Sequence, residues 1–189
     1  MSRLFFVACR TSLEMTLARS CLLAACLLVN TAASMVNTEA RLSELGLTLP
    51  AVPKPLASYT PCVRTGNLCY LSGHVPFKDD MKSLHTGKVG LDYTTQEGNA
   101  FAKLIALELI STLKSELGDL DKVIRIVKLV GFVNCPDDFT EQPEVINGCS
   151  DLLSQVFGPE RGTHARSAVG TNSLPRNVPV EIELIAEIA

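Results

Sequence analysis

His164-Ala-Arg-Ser-Ala-Val-Gly170, then Leu174-Pro175, then Val180-Glu-Ile-Glu-Leu-Ile185 is the stretch that decides the fold. It reads as two strands joined by a turn that carries Pro175, Asn177 and Pro179. In the second strand Val180, Ile182, Leu184, Ala186 and Ile188 alternate with Glu181, Glu183 and Glu187. Successive strand side chains point to opposite faces, so the apolar set turns inward and Glu181 turns away from the core. In the first strand Ala165 and Val169 share a face and Arg166 takes the other. One guanidinium and one carboxylate are therefore expected to look out from neighbouring strands. A planar, permanently charged fork suits a small carboxylate ligand. The same spacing also fits a cross-strand ion pair on a solvated face.

Outward from that stretch the pattern alternates. Gln142 to Phe157 predicts a helix with Val145, Leu152, Leu153 and Val156 inward, Pro143 confined to its first turn and Gly158 as its stop. Gly158 to Thr163 reads as an extended link. Val123 to Val133 is rich in β-branched residues and apolar on both sides, which predicts a central strand. Thr94-x-x-Glu97 is a capping box opening a helix with Phe101, Leu104, Ile105, Leu109, Leu113 and Leu117 at helical spacing, ended by Gly118. Tyr59 to Val63 and Asn67 to Ser72 read as strands joined by Arg64-Thr-Gly-Asn67, with a short third strand at Gly87 to Leu91 and a charged loop at Phe77 to His85. A proline-rich connector, Leu49 to Leu56, follows a short amphipathic helix at Thr38 to Leu47. The simplest packing is an α+β domain over residues 35–189, a single sheet with two helices on one face. The other face still carries apolar residues, and self-association is the economical cover.

Composition narrows the function classes. The chain has 189 residues, 47% hydrophobic and only 5% aromatic, so the core is aliphatic. Its formal charge of −3, without Lys or Arg clusters and without Trp, argues against a dedicated nucleic-acid surface. Cys62, Cys69, Cys135 and Cys149 are scattered among apolar residues with no Cys-x-x-Cys, as expected of small buried hydrophobes in a reducing compartment. His74, His85 and His164 lack metal-ligand spacing, so no metal site is expected, and there is no cofactor motif.

The order Ala-Arg-Ser-x-Val, Leu-Pro, Val-Glu-Ile-Glu-x-Ile-Ala resembles the signature of the reactive imine deaminase family (RidA, also YjgF or L-PSP endoribonuclease-like). Tyr59, Gly66 to Pro76, Val127 to Val133 and Asn147 fall in the family's order, so the resemblance spans roughly Ala57 to Ile188. It implies a chorismate mutase-like fold, a homotrimer with clefts between subunits, and hydrolysis of small enamines or imines to 2-keto acids and ammonia without a cofactor. It implies that Arg166 grips the carboxylate of an imine or keto acid, that Glu181 holds a water or orients Arg166, and that Tyr59, Ser72 and Asn147 lie near the cleft. Each has a plainer reading: Tyr59 as a packed aromatic, Ser72 as a turn residue before Gly73, Asn147 as a helical amide with a local partner. Ala168 stands where the family often has Cys, and His164 where it often has Pro, which marks a divergent branch. The alternatives are a non-catalytic metabolite-binding trimer, or the L-PSP-type endoribonuclease or translation-inhibitor role.

Residues 1–34 differ from the rest. Arg3, Arg10 and Arg19 face a single acid, Glu14, and Cys21 to Val29 is an unbroken apolar run. The segment reads as a targeting leader or as a start upstream of the true one near Met35, and the run is too short to span a membrane comfortably. Unpaired-looking cysteines favour a cytoplasmic or mitochondrial (organellar) location over secretion.

Overall fold

The computed structural model describes residues 37–52 and 57–189; the leader reading lies outside them. Strands β1 (Cys62–Thr65), β2 (Leu68–His74), β3 (Val123–Asn134), β4 (Ala165–Thr171) and β5 (Val180–Ile188) form one mixed sheet in the order β1-β2-β5-β3-β4. Helices are α1 (Thr38–Glu44), α2 (Thr95–Leu117), α3 (Gln142–Phe157) and the single turn α4 (Pro159–Gly162). β3 and β4 run parallel, with α3 and α4 between them in the chain, and the other pairs are antiparallel. The protein is thus α+β, with α2 and α3 packed on one face of the sheet.

The apolar alternation explains that packing. Leu71, Leu129, Val133, Ile182 and Leu184 of the sheet are buried with Ile105, Leu109, Leu113, Val145 and Leu152 of the two long helices. Each such side chain contributes roughly 1.5–3 kcal/mol. Gly131 lets α3 settle close, since a Cβ there would lie 2.5 Å from Ile146 Cδ1. The capping box forms as predicted: Thr94 Oγ1 accepts from the Glu97 N–H, and the Glu97 carboxylate accepts from the Thr94 N–H at 2.8 Å. Gly118 closes α2 in the left-handed region, at φ 74°.

Four expectations need correction. The first hairpin is tighter, turning at Gly66-Asn67, and Tyr59 lies in a bend ahead of β1 rather than in a strand. Gly87 to Leu91 makes no strand; Gly87 (φ 140°) and Gly90 (φ 87°) break the extended chain, and only an isolated bridge joins Val89 to Tyr93. The link after α3 is helical rather than extended, because Gly158 reverses the chain at φ 80° and Pro159 is pre-set for a first helical turn. Finally, β4 and β5 are not neighbours: β3 runs between them.

The face opposite the helices is mixed. Val63, Tyr70 and Val169 are 53%, 43% and 43% exposed there. Glu181 and Glu183 of β5 share that face.

Candidate functional site

Glu181 owes its position to a missing side chain. It stands on β5 opposite Phe132 of β3, turned away from the helices. Next to it β2 is irregular between Leu71 and His74. A Cβ built on Gly73 would lie 2.0 Å from Glu181 Oε1, so a larger residue there would push the carboxylate out of this position. Burial first, and the charge of Glu183 second, push the Glu181 carboxyl above the usual carboxylate range.

Glu181 and Glu183 line a cavity of about 480 Å³ together with Tyr59, Ser72, Gly73 and Arg176. Ser72 Oγ donates to the Thr60 carbonyl at 2.7 Å, which fixes the hydroxyl oxygen at the wall. Tyr59 sits at the rim, 46% exposed. The far wall is the Pro175–Asn177 turn, where Arg176 and Asn177 are left-handed at φ 57° and 58°. That strained turn is pinned by fully buried Asn134, whose Nδ2 donates to Asn177 Oδ1 and to the Val178 carbonyl, both at 3.1 Å. Arg176 and Asn134 were not singled out from the sequence; the Leu174-Pro175 turn was the one signal near them.

Arg166 is elsewhere. On β4 it pairs in register with Leu129, which is buried beneath the helices, so its side chain lies on the helix face near the sheet edge. Its Nη1 donates to Asn147 Oδ1 at 2.8 Å and to Ser150 Oγ at 3.2 Å, both on α3. Asn147 thus has the partner its mid-helix place demanded. Arg166 is half-buried, and among the described residues it forms no ion pair. His164 Nε2 lies 3.1 Å from the same Ser150 hydroxyl. Burial is the main cause that holds the His164 ring below its ordinary pKa, and the Arg166 charge adds to it.

Within one chain the candidates therefore form two half-sites. Tyr59, Ser72 and Glu181 share the cleft on the open face, while Arg166 and Asn147 share the helix face. The expectation that Arg166 and Glu181 look out from neighbouring strands is overturned by β3 between them and by the opposite sense of their side chains. Asn147 and Ser150, not Glu181, orient Arg166 in the chain. Among the described residues no three His, Cys, Asp or Glu side chains gather as metal ligands. No helix among them is long and apolar enough to cross a membrane.

Residues 39–188 match the family described as "YjgF/chorismate mutase-like, putative endoribonuclease". Protein TCP17 of Trypanosoma cruzi is 44% identical over 152 residues, 80% of this chain and 94% of that protein. A 2-iminobutanoate/2-iminopropanoate deaminase of Dermatophagoides farinae is 26% identical over 142 residues, 75% of this chain and 94% of that protein. Among solved structures, the protein Atu1372 of Agrobacterium tumefaciens, titled as of unknown function, superposes with a TM-score of 0.73 at 45% identity, covering 82% of this chain and 95% of its own.

Proposed function

The chain belongs to the YjgF/chorismate mutase-like family, and from that premise we propose that it hydrolyses small enamines or imines derived from amino acids. The observation that carries this reading is the Arg166 head. It is a half-buried guanidinium tethered through one nitrogen to neutral oxygens, with no carboxylate partner among the described residues. Such a group favours an incoming carboxylate, which it grips with two parallel N–H donors. The second support is a relative named for deamination of 2-iminobutanoate and 2-iminopropanoate.

In the proposed reaction Arg166 holds the substrate carboxylate beside the imine carbon. Water adds to that carbon, a tetrahedral carbinolamine forms, and the C–N bond breaks to leave a 2-keto acid and ammonia. The imine carbon is already electrophilic, so orientation of the two reactants supplies much of the acceleration. Glu181, half-buried and raised in pKa, holds the attacking water, takes its proton and returns it to the nitrogen. The carbinolamine O–H proton follows the same route as the C–N bond breaks, so the nitrogen leaves as ammonia and Glu181 is regenerated. Ser72 and Tyr59 shape the wall that receives the substrate side chain. Because Arg166 and Glu181 lie on opposite faces of one sheet, the complete cleft draws them from two copies of the chain, in keeping with a homotrimer. Glu181 and Glu183 outnumber the one cation, Arg176, on the lining of that cavity, a balance that disfavours a phosphodiester backbone and weighs against ribonuclease action there.

The test is hydrolysis of an imine generated in situ by oxidising an amino acid, followed by the loss of semicarbazide-trapped signal. Arg166→Lys keeps the charge and loses the fork, a loss of about 1–3 kcal/mol. kcat/KM should fall roughly ten- to a hundredfold. Wild-type activity in a folded Arg166→Lys protein would overturn the assignment.

A further inference from the structure

We propose that Ser150 and His164 are positioning residues that aim the Arg166 head, and that they set how tightly the site holds a carboxylate. The inference rests on the reading of Arg166 as the carboxylate anchor. It starts from the direction of three hydrogen bonds. His164 Nδ1 lies 2.6 Å from the Gly162 carbonyl oxygen, which can only accept. Nδ1 therefore carries the ring proton, and in the neutral ring Nε2 is left as the acceptor. Ser150 Oγ, 3.1 Å away, must then be the donor to Nε2. With its hydrogen committed, the hydroxyl turns its lone pairs toward Arg166 Nη1, 3.2 Å off. Asn147 Oδ1 takes the other hydrogen of Nη1. Both Nη1 hydrogens are used, so the plane of the guanidinium is fixed and its remaining edge is presented outward.

The carbonyl at the start of this relay is itself held firmly. A Cβ on Gly162 would lie 2.5 Å from the Leu153 carbonyl oxygen and 2.7 Å from Ser154 Cα, so only glycine lets α4 fold back against α3. The adjoining Arg161 anchors the same turn, its Nε donating to the Val123 carbonyl at 2.9 Å and its Nη2 to the Leu120 carbonyl at 3.1 Å. Asn147 and Ser150 are three residues apart on α3, so they stand on one helix face, both half-buried, while Val145, Ile146 and Cys149 point into the core. A neutral His164 is what burial beside a cation favours. The relay thus connects a rigid backbone carbonyl to the charged head through two side chains with no alternative direction.

The experiment uses the full chain and two readouts. The first is calorimetric binding of 2-oxobutanoate, the keto acid that 2-iminobutanoate would yield, beside KM and kcat for the imine. Ser150→Ala and His164→Phe should weaken keto-acid binding about tenfold, with KM rising more than kcat falls. Ser150→Thr keeps the hydroxyl, and His164→Gln can donate to Gly162 and accept from Ser150, so both should bind within about twofold of wild type. The second readout needs no ligand: hydrogen exchange of the Arg166 guanidinium protons by NMR. Slow exchange in the wild type and in His164→Gln, made fast by Ser150→Ala and His164→Phe, is the expected result. If that result appears in a protein that hydrolyses no imine, the positioning inference stands and the deaminase reading falls. Unchanged binding and unchanged exchange in Ser150→Ala and His164→Phe overturn the inference, whatever the activity.

Discussion

Glu108 is the buried acid that the proposed chemistry leaves out. It is 2% exposed on α2; its Oε1 accepts the Phe77 N–H at 3.2 Å, and Oε2 has no partner among the described residues. Burial pushes its pKa up to about 8. A carboxyl whose folded pKa is raised adds stability that is fully present below its unfolded value and is lost as pH rises to the folded one. The window here runs from 4.5 to about 8, with a slope of up to about 1.4 kcal/mol per pH unit. Glu108→Gln keeps the acceptor for Phe77 and removes the ionisation. We predict that wild type and variant have similar denaturant midpoints at pH 5 and that the variant is clearly more stable at pH 9. A difference of the same size at both pH values would show that Glu108 ionises normally. At this scale the sequence supplies the candidate residues but not their arrangement. Alternation singles out Arg166 and Glu181, because it fixes which residues of one strand share a face, whereas Ser72, Tyr59 and Asn147 come from the family resemblance alone. Alternation does not say which strand lies between two others, so the separation of Arg166 from Glu181 was hidden. Ser150 and Arg176 were hidden for another reason: each acts through a tertiary contact or a left-handed turn that leaves no periodic trace.

Among elements, α2 shows why the helices were easy to read. A capping box opens it, apolar residues recur at helical spacing, and a left-handed glycine closes it, so three independent signals agree. We predict that Thr94→Ala lowers global stability by about 1 kcal/mol, through loss of the acceptor for the Glu97 N–H. Thr94→Ser should cost only a few tenths. Chemical denaturation of the two variants decides it, and equal losses would mean that the threonine methyl, not the hydroxyl, matters. The β3 and β5 strands were legible for a similar reason, since their apolar residues carry the sheet core. The Gly87 to Leu91 segment was not. It is held by the Lys88 ammonium, which donates to Asn134 Oδ1 and the Asn172 carbonyl, and by the Gly87 N–H, which donates to the Asn177 carbonyl. Those partners lie 46 residues away or more, and no local pattern announces them. The same tethers carry the Pro175–Asn177 wall of the cleft, so a misread loop proves to be part of the site's scaffold.

At the scale of the whole molecule the two half-sites make an argument about assembly. One chain places Glu181, Ser72 and Tyr59 on the open face and Arg166 with Asn147 on the helix face, with the sheet between them. The open face also exposes Val63, Tyr70 and Val169, apolar surface that a second copy would cover. If catalysis needs both half-sites, they meet only between copies, and a closed ring of three gives three equivalent clefts. We predict that residues 36–189 run as a trimer in size exclusion with light scattering. The sharper consequence concerns mixtures. Arg166→Lys and Glu181→Gln should each retain at most about a tenth of wild-type activity alone. When equal amounts are unfolded together and refolded, each cleft takes its arginine from one copy and its glutamate from the next. Random assembly then gives both native residues in about one cleft in four. Activity should recover to about a quarter of wild type in the mixture, with wild-type KM, because the restored clefts are complete. A site built within one chain predicts no recovery at any ratio. The mixture therefore tests the assembly and the separation of Arg166 from Glu181 together, and an inactive mixture of folded trimers would contradict the shared cleft.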